Sequence, residues 1–319
     1  GLINDNMNLY DYLENSPPPS LKFSSALNDS VSNSDIIDIG FSVIDNGGGV
    51  NEIKVLHNGK RIIHDYAGND KARRGKKVNE DIQLLLIPGE NIIKVSAFSN
   101  GRIESNVIEH SVYFKSDESL PDCHILTVGI DEYKNEGMNL NYAKADAKAF
   151  SDIIKKRSKP LFNNMKFYNI YDKDATKQNI LSAVEEISKN ARPEDVFIFY
   201  YAGHGSMVGS DFYFIPTDCI RLYDEEGLKA DAILADDMQT SFNKIKALKQ
   251  IMILDACQSG GATDVLGQRG AGREKAIAQL SRSSGIHVLA SAGSEQYAIE
   301  FKSLGHGLFT YVLLDAIEG

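Results

Sequence analysis

Val196-Phe197-Ile198-Phe199-Tyr200-Tyr201-Ala202-Gly203-His204-Gly205 and Ile251-Met252-Ile253-Leu254-Asp255-Ala256-Cys257-Gln258-Ser259-Gly260 are two apolar runs that each end in reactive side chains. Such a run, bounded by glycine, reads as a strand buried on both faces, as a parallel sheet covered by helices requires. Similar runs stand at residues 125–130, 166–170 and 286–289. Helical spacing fills the gaps. Ile180, Leu181, Val184 and Ile187 recur after Thr176, a capping residue, and Pro193 closes that segment. Residues 143–154 and 309–317 read the same way. Alternating strands and helices predict an α/β unit, a mostly parallel central sheet with helices on both faces.

Upstream of Leu120-Pro121 the pattern differs. Apolar alternation marks strands in Ile37-Asp38-Ile39-Gly40-Phe41-Ser42-Val43, Ile53-Lys54-Val55-Leu56 and Ile92-Ile93-Lys94-Val95. Turns fall at Asn46-Gly47-Gly48-Gly49, Asn58-Gly59, Pro88-Gly89 and Asn100-Gly101. Short strands at this spacing predict a small all-β, immunoglobulin-like sandwich. The expected organisation is a linker or tail over residues 1–20, ending in Pro17-Pro18-Pro19, a β-sandwich over 21–118 and the α/β unit over 119–319. The basic run from Lys71 to Lys77 reads as a solvated loop.

A chain of 319 residues fits about two domains, and 42% hydrophobic with 24% charged residues is an ordinary globular composition. The net charge of -10 argues against nucleic acid or an anionic membrane as partner. No apolar run approaches the ~18 residues needed to span a bilayer. Cys123, Cys219 and Cys257 are widely spaced and odd in number, which suits neither a disulfide framework nor a zinc site. A reducing cytoplasm is the expected location, and neither metal nor cofactor is implied. Gly1 in place of Met suggests that a longer protein precedes this start.

Ligands of open parallel sheets bind beyond the carboxyl ends of the strands. His204 and Cys257 follow two such strands, and if those strands are neighbours the imidazole and the thiol share one rim. A thiol needs a nearby imidazole to favour the thiolate or to take its proton. Gly205 lets a substrate approach closely, and the N–H groups of Gly205 and Cys257 can hold an oxyanion. Taken singly, either residue is more simply a buried apolar cysteine or a satisfied loop histidine. Their pairing favours covalent catalysis.

Here the sequence resembles a known family. Caspases carry Gln-Ala-Cys-x-Gly with a histidine about 50 residues upstream; His204 precedes Cys257 by 53 residues. Asp255 replaces the Gln and Ser259 the Gly, so Asp-x-Cys-x-Ser-Gly is closer to the metacaspase and bacterial caspase-like branch. Val128-Gly129-Ile130-Asp131, the stretch from Leu140 to Ala147, Ala290-Ser291-Ala292-Gly293, and Gly305-His306-Gly307-Leu308-Phe309-Thr310-Tyr311 are similar to that branch too. The resemblance covers residues 121–319. Asp45-Asn46-Gly47-Gly48-Gly49-Val50 and Pro88-Gly89-Glu90-Asn91 resemble the β-connector that precedes such domains in bacterial multidomain proteins.

The resemblance implies a caspase-like cysteine endopeptidase acting on protein or peptide substrates within a regulated bacterial signalling or defence system, with an upstream sensor domain or protein as partner. It places the nucleophile on Cys257, the base on His204, the oxyanion donors on Gly205 and Cys257, and the acidic substrate-binding residues on Asp146 and Asp255. Two carboxylates in one pocket imply cleavage after Arg or Lys rather than after Asp. Calcium ligands do not map cleanly; Asp224, Glu225, Asp236 and Asp237 read as surface carboxylates. The glycine-rich connector over 260–285 is expected to be a mobile activation segment, with self-cleavage after Arg269, Arg273 or Arg282. His306 reads as part of a turn, His287 as a core histidine, and His57 and His64 as surface residues. A silent interaction module, or another acyl-transfer enzyme on the same fold, remains an alternative.

Overall fold

The computed structural model describes residues 14, 16–24, 31–62, 76–116, 120–209, 211–221, 224–258, 286–291, 300–301 and 305–319. The chain divides into two compact units, Gly1–Glu118 and Ser119–Gly319.

The described part of the first unit is built of strands: β1 (Ser20–Phe23), β2 (Val31–Ser32), β3 (Ile36–Ile44), β4 (Glu52–His57), β5 (Lys60–Ile62), β6 (Lys77–Leu85), β7 (Gly89–Phe98) and β8 (Ile108–Phe114). They form two sheets, ordered β1-β3-β6 and β2-β8-β7-β4-β5. One apolar cluster draws on both, with Ile39, Phe41, Val43 and Ile82 from the first and Ile53, Val55, Ile93 and Val112 from the second. The Asp45 and Asn91 stretches build turns. Asp45 Oδ1 accepts from the N–H groups of Gly47 and Gly49, each at 2.8 Å. Asn91 closes a loop on Ile87 through both its amide atoms. His57 is not a surface residue. It is 2% exposed, and its Nε2 lies 2.8 Å from Asn91 Oδ1. The alternation that buries Ile53 and Val55 carries on to position 57 and overrides the neighbouring turn. His64 and Lys71 to Gly75 lie outside the described residues, as do Ser259 and the connector to Gly285 with Arg269, Arg273 and Arg282.

The second unit contains β9 (Cys123–Gly129), α1 (Ala143–Arg157), β10 (Met165–Tyr171), α2 (Lys177–Asn190), β11 (Val196–Val208), β12 (Asp211–Phe214), α3 (Glu225–Asp231), β13 (Ile233–Leu234), α4 (Ala235–Asn243), β14 (Lys249–Gln258), β15 (His287–Ala290), β16 (Glu300–Phe301), β17 (His306–Gly307) and α5 (Leu308–Glu318). Five strands run parallel in the order β10-β9-β11-β14-β15. The order reverses at β9, as in doubly wound sheets. One face is covered by Ala147, Phe150 and Ile154 of α1, with Leu313, Leu314 and Ile317 of α5 packed beside them. The other face is covered by Ile180, Val184 and Ile187 of α2 and by Met238 and Phe242 of α4.

Two strands outrun their apolar runs. β11 continues past Tyr201 because its far end pairs with β12, Gly205 opposite Phe214 and Val208 opposite Asp211. β14 follows it to Gln258. His204 and Cys257 therefore sit inside a hydrogen-bonded ladder rather than in loops beyond it. His287 is also not in the core: exposure alternates along β15, and His287 takes an exposed position. Asp224 caps α3, accepting from Gly227 N–H at 3.0 Å. Asp236 and Asp237 stand in the first turn of α4, where carboxylates suit the helix dipole. Among the described residues no cluster of three or more His, Cys, Asp or Glu is placed to hold a metal, and no helix is long and apolar enough to cross a membrane.

Gly129 closes β9 where α1 leans on the strand. A Cβ there would lie 2.6 Å from Ala147 Cβ and 2.7 Å from the Ala143 carbonyl. Because backbone cannot yield as a side-chain tip does, Gly129→Ala should destabilise the second unit by about 2–3 kcal/mol, lowering its Tm by roughly 5–10 °C. Thermal unfolding measures this; an unchanged Tm would show that α1 is free to move.

Candidate active site

The centre of the site is a register. Along β11 and β14, His204 stands directly opposite Cys257, and Ala202 opposite Asp255. Both pairs lie at the carboxyl end of the parallel sheet, the end that binds ligands in this class of fold.

His204 is 5% exposed and held at every backbone group. Its N–H donates to the Tyr133 hydroxyl at 2.9 Å. Its carbonyl accepts from the Tyr201 hydroxyl at 2.7 Å and from Ile215 N–H at 3.1 Å. The ring lies 5.0 Å, centroid to centroid, from that of Tyr133. On the side chain, Nε2 is 2.7 Å from the Met138 carbonyl. A carbonyl only accepts, so this contact puts the proton on Nε2 and leaves Nδ1 as the basic nitrogen of the neutral ring.

Met138 ends a short 3-10 turn, Glu136–Met138, capped by the Asn135 side chain on Gly137 N–H. Asn139 Oδ1 accepts from Tyr133 N–H at 2.9 Å, and Leu140 N–H donates to the Asp131 carbonyl at 2.9 Å. The loop that carries the carbonyl is thus tied to the residue that carries the phenol. The sequence alone singles out neither Tyr133 nor Met138. For Tyr133 the one signal is its place just beyond the Val128 to Asp131 motif.

The glycines beside His204 have a packing reason. A Cβ at Gly203 would lie 2.9 Å from the Tyr133 hydroxyl and 3.1 Å from that of Tyr201. At Gly205 it would lie 2.5 Å from the buried Phe212 ring. The room expected at Gly205 for a substrate is, on the Cβ side, filled by Phe212.

Asp146 and Asp255, distant in sequence, are brought together. Asp146 lies in the first turn of α1 and is 3% exposed; Asp255 is 6% exposed. Around Gly307, Asp146 Oδ2 and Asp255 Oδ2 lie 3.1 and 3.3 Å from where a Cβ would stand. Gly307 N–H donates to Asp146 Oδ2 at 3.1 Å, His306 Nδ1 is 2.6 Å from Asp146 Oδ1, and the Thr310 hydroxyl donates to Asp255 Oδ2 at 2.7 Å. Burial pushes the Asp146 carboxyl up to about 6, against the hydrogen bonds from His306 and Gly307 and with the Asp255 charge adding to the rise. The turn predicted at His306 therefore also faces the carboxylate pair.

Cys123 and Cys219 are free, buried, and pushed up to about 12, chiefly by desolvation. Neither forms a thiolate near neutrality.

The profile of the caspase domain family matches residues 123–319. Metacaspase-1 of Meyerozyma guilliermondii is 29% identical over 151 residues, covering 44% of this chain and 36% of that protein. Metacaspase-1 of Plasmodium falciparum is 26% identical over 155 residues, 44% of this chain and 24% of that protein. Metacaspase-1 of Debaryomyces hansenii is 32% identical over 103 residues, 28% of this chain and 21% of that protein. The chain spans 36% or less of the length of these curated relatives.

The Met138 contact sets an expectation for the imidazole: ¹⁵N chemical shifts of the neutral His204 ring should report the Nε2–H tautomer. Tyr133→Phe, which removes the acceptor for His204 N–H, should keep the fold yet broaden or shift that signal. A predominantly Nδ1–H ring would contradict the geometry.

Proposed function

Because this chain belongs to the caspase domain family over residues 123–319, we propose that it is a cysteine endopeptidase that cleaves after Arg or Lys. The observation that carries this reading is the register of His204 opposite Cys257 at the carboxyl end of the sheet.

In the proposed reaction His204 Nδ1 takes the Cys257 proton and the thiolate attacks the scissile carbonyl. The oxyanion so formed is held by the N–H groups of Gly205 and Cys257. His204 then returns the proton to the leaving amine, giving a thioester, and water completes hydrolysis with the same imidazole as base. The remaining cysteines are too buried to substitute. Asp146 and Asp255 receive the substrate's cationic side chain. At an effective dielectric near 20, a unit pair ~4 Å apart interacts by ~4 kcal/mol, and after desolvation a preference of about a hundredfold over a neutral side chain remains. Among its described residues the β unit brings no nucleophile with a base, and its proposed role is to relay regulation from an upstream sensor within a bacterial signalling or defence system. Self-cleavage after Arg269, Arg273 or Arg282 is the proposed activating step.

Cys257→Ala and His204→Ala should each lower kcat by several orders of magnitude with the fold retained; near-normal turnover in Cys257→Ala would overturn the mechanism. Matched Arg, Lys, Gln and Asp peptides test the pocket, and a preference for Asp would reject it. The ratio of kcat/KM for Arg over Gln peptides cancels the titration of nucleophile and base. Asp146 attracts a cation only when ionised, so that ratio should fall as pH drops through about 6. A ratio flat from pH 8 to pH 5 would remove Asp146 from the pocket.

A further inference from the structure

The two pocket carboxylates are engaged by one short segment of this chain. Gly307 N–H, at the N-terminus of α5, donates to Asp146 Oδ2, and Thr310 one turn on donates to Asp255 Oδ2. These two contacts are part of the helix. Thr310 is fully buried and its Oγ1 lies 2.5 Å from the Tyr200 hydroxyl. The third contact differs in kind. His306 reaches Asp146 Oδ1 at 2.6 Å by its side chain alone, and that side chain is 26% exposed where the carboxylate is 4% exposed. It follows Gly305, whose φ of +67° is a left-handed turn with nothing within 4 Å of a Cβ position. A side chain with one anchored end, an exposed flank and a glycine turn before it can leave by rotation while α5 stays in place.

We propose that His306 is a specificity-determining residue of the pocket: its imidazole occupies the cation position on Asp146, and a substrate's basic side chain must displace it. The proposal rests on the reading of Asp146 and Asp255 as the substrate pocket. The consequence is a competition. An Arg or Lys side chain gains Asp146 Oδ1 only when His306 gives it up, so its apparent affinity is reduced by the fraction of molecules in which the position is open. A partly exposed charge-assisted contact that keeps the position filled nine-tenths of the time lowers that affinity about tenfold. A neutral side chain makes no claim on Asp146 and is unaffected. His306 thereby narrows the advantage of basic substrates without touching the nucleophile.

The test uses the full chain, its His306→Ala and His306→Gln variants, matched Arg, Lys and Gln peptides, and benzamidine as a free cation. At pH 8, well above the Asp146 carboxyl's value of about 6, removing the imidazole should lower KM for Arg and Lys peptides about tenfold, leave kcat and the Gln peptide within about twofold, and tighten benzamidine inhibition by the same factor. In the wild-type chain, saturating benzamidine should shift the ring signals of His306, assigned by through-bond correlations to its own backbone between Gly305 and Gly307. Unchanged or raised KM for Arg in variants that keep the wild-type Tm would overturn the proposal and leave the basic pocket standing, His306 then being only an anchor of α5. If both variants fail to fold, His306 signals unmoved by benzamidine binding to the wild-type chain would overturn it equally. A wild-type chain with no Arg or Lys preference and no benzamidine binding would reject the pocket itself, and the occupant with it.

Discussion

The pairing of β11 with β14 is the constraint on which the rest of the site depends. Ten residue pairs run in register from Val196 opposite Lys249 to Gly205 opposite Gln258. Both faces of the sheet police that register. Phe197, Phe199, Tyr201, Met252, Leu254 and Ala256 belong to one buried cluster, while Ile198, Tyr200, Ala202 and Ile253 belong to the other. A slip of one residue would turn each set onto the other face and misfit both cores. No single contact fixes His204 opposite Cys257; the cost of repacking the whole sheet does. Pairing of β11 with β12 then holds the last turns of the ladder in the extended conformation, where an isolated strand end would fray.

Rigidity at His204 follows from the same economy of backbone groups. A buried strand must satisfy each N–H and carbonyl, and at position 204 the partners are the phenols of Tyr133 and Tyr201 and the backbone of Ile215. The phenols approach closely because Gly203 has no side chain to exclude them. The loop that supplies Tyr133 also supplies the Met138 carbonyl, so ring orientation and backbone position are set by one piece of chain. An imidazole held this way needs less reorganisation when charge develops on it.

How much of this the sequence discloses depends on what kind of signal each feature leaves. The parallel strands and α1, α2 and α5 are visible because burial on two faces demands unbroken apolar runs and helices demand period-3.6 stripes. The acidic segments Glu225–Asp231 and Ala235–Asn243 escape as helices because their carboxylates draw attention first, although Ala235, Met238 and Phe242 do recur at helical spacing. Asp255 and Asp146 are found through a family resemblance; their meeting around Gly307 is a product of tertiary folding and leaves no local mark. The Met138 carbonyl is invisible in principle, since every residue carries one. His57 fails for the opposite reason. The period-2 burial of Ile53 and Val55 predicts its burial, but the turn at Asn58-Gly59 suggests an exposed loop, and the alternation wins.

The division of labour within the second unit has a further consequence. His204 and Cys257 are placed by strands, whereas the neighbours of Asp255 come from helices and a helix cap: Asp146 from α1, Thr310 from α5, and Gly307 from β17 where it caps α5. Along β14, Asp255 stands two residues from Cys257, a separation of about 6.6–6.8 Å fixed by strand geometry. The surroundings of Asp255 depend on how α1 and α5 pack on each other and on the sheet, through Phe150, Ile154, Leu313 and Ile317. Where helices pack by side chains alone they can repack through small shifts, which the backbone contact of α1 at Gly129 does not allow, while a hydrogen-bonded ladder cannot shift without breaking register. Changes in the α1–α5 contact therefore act on the Asp146–Asp255 pair, and only changes that reach β11 or β14 act on the register of His204 with Cys257.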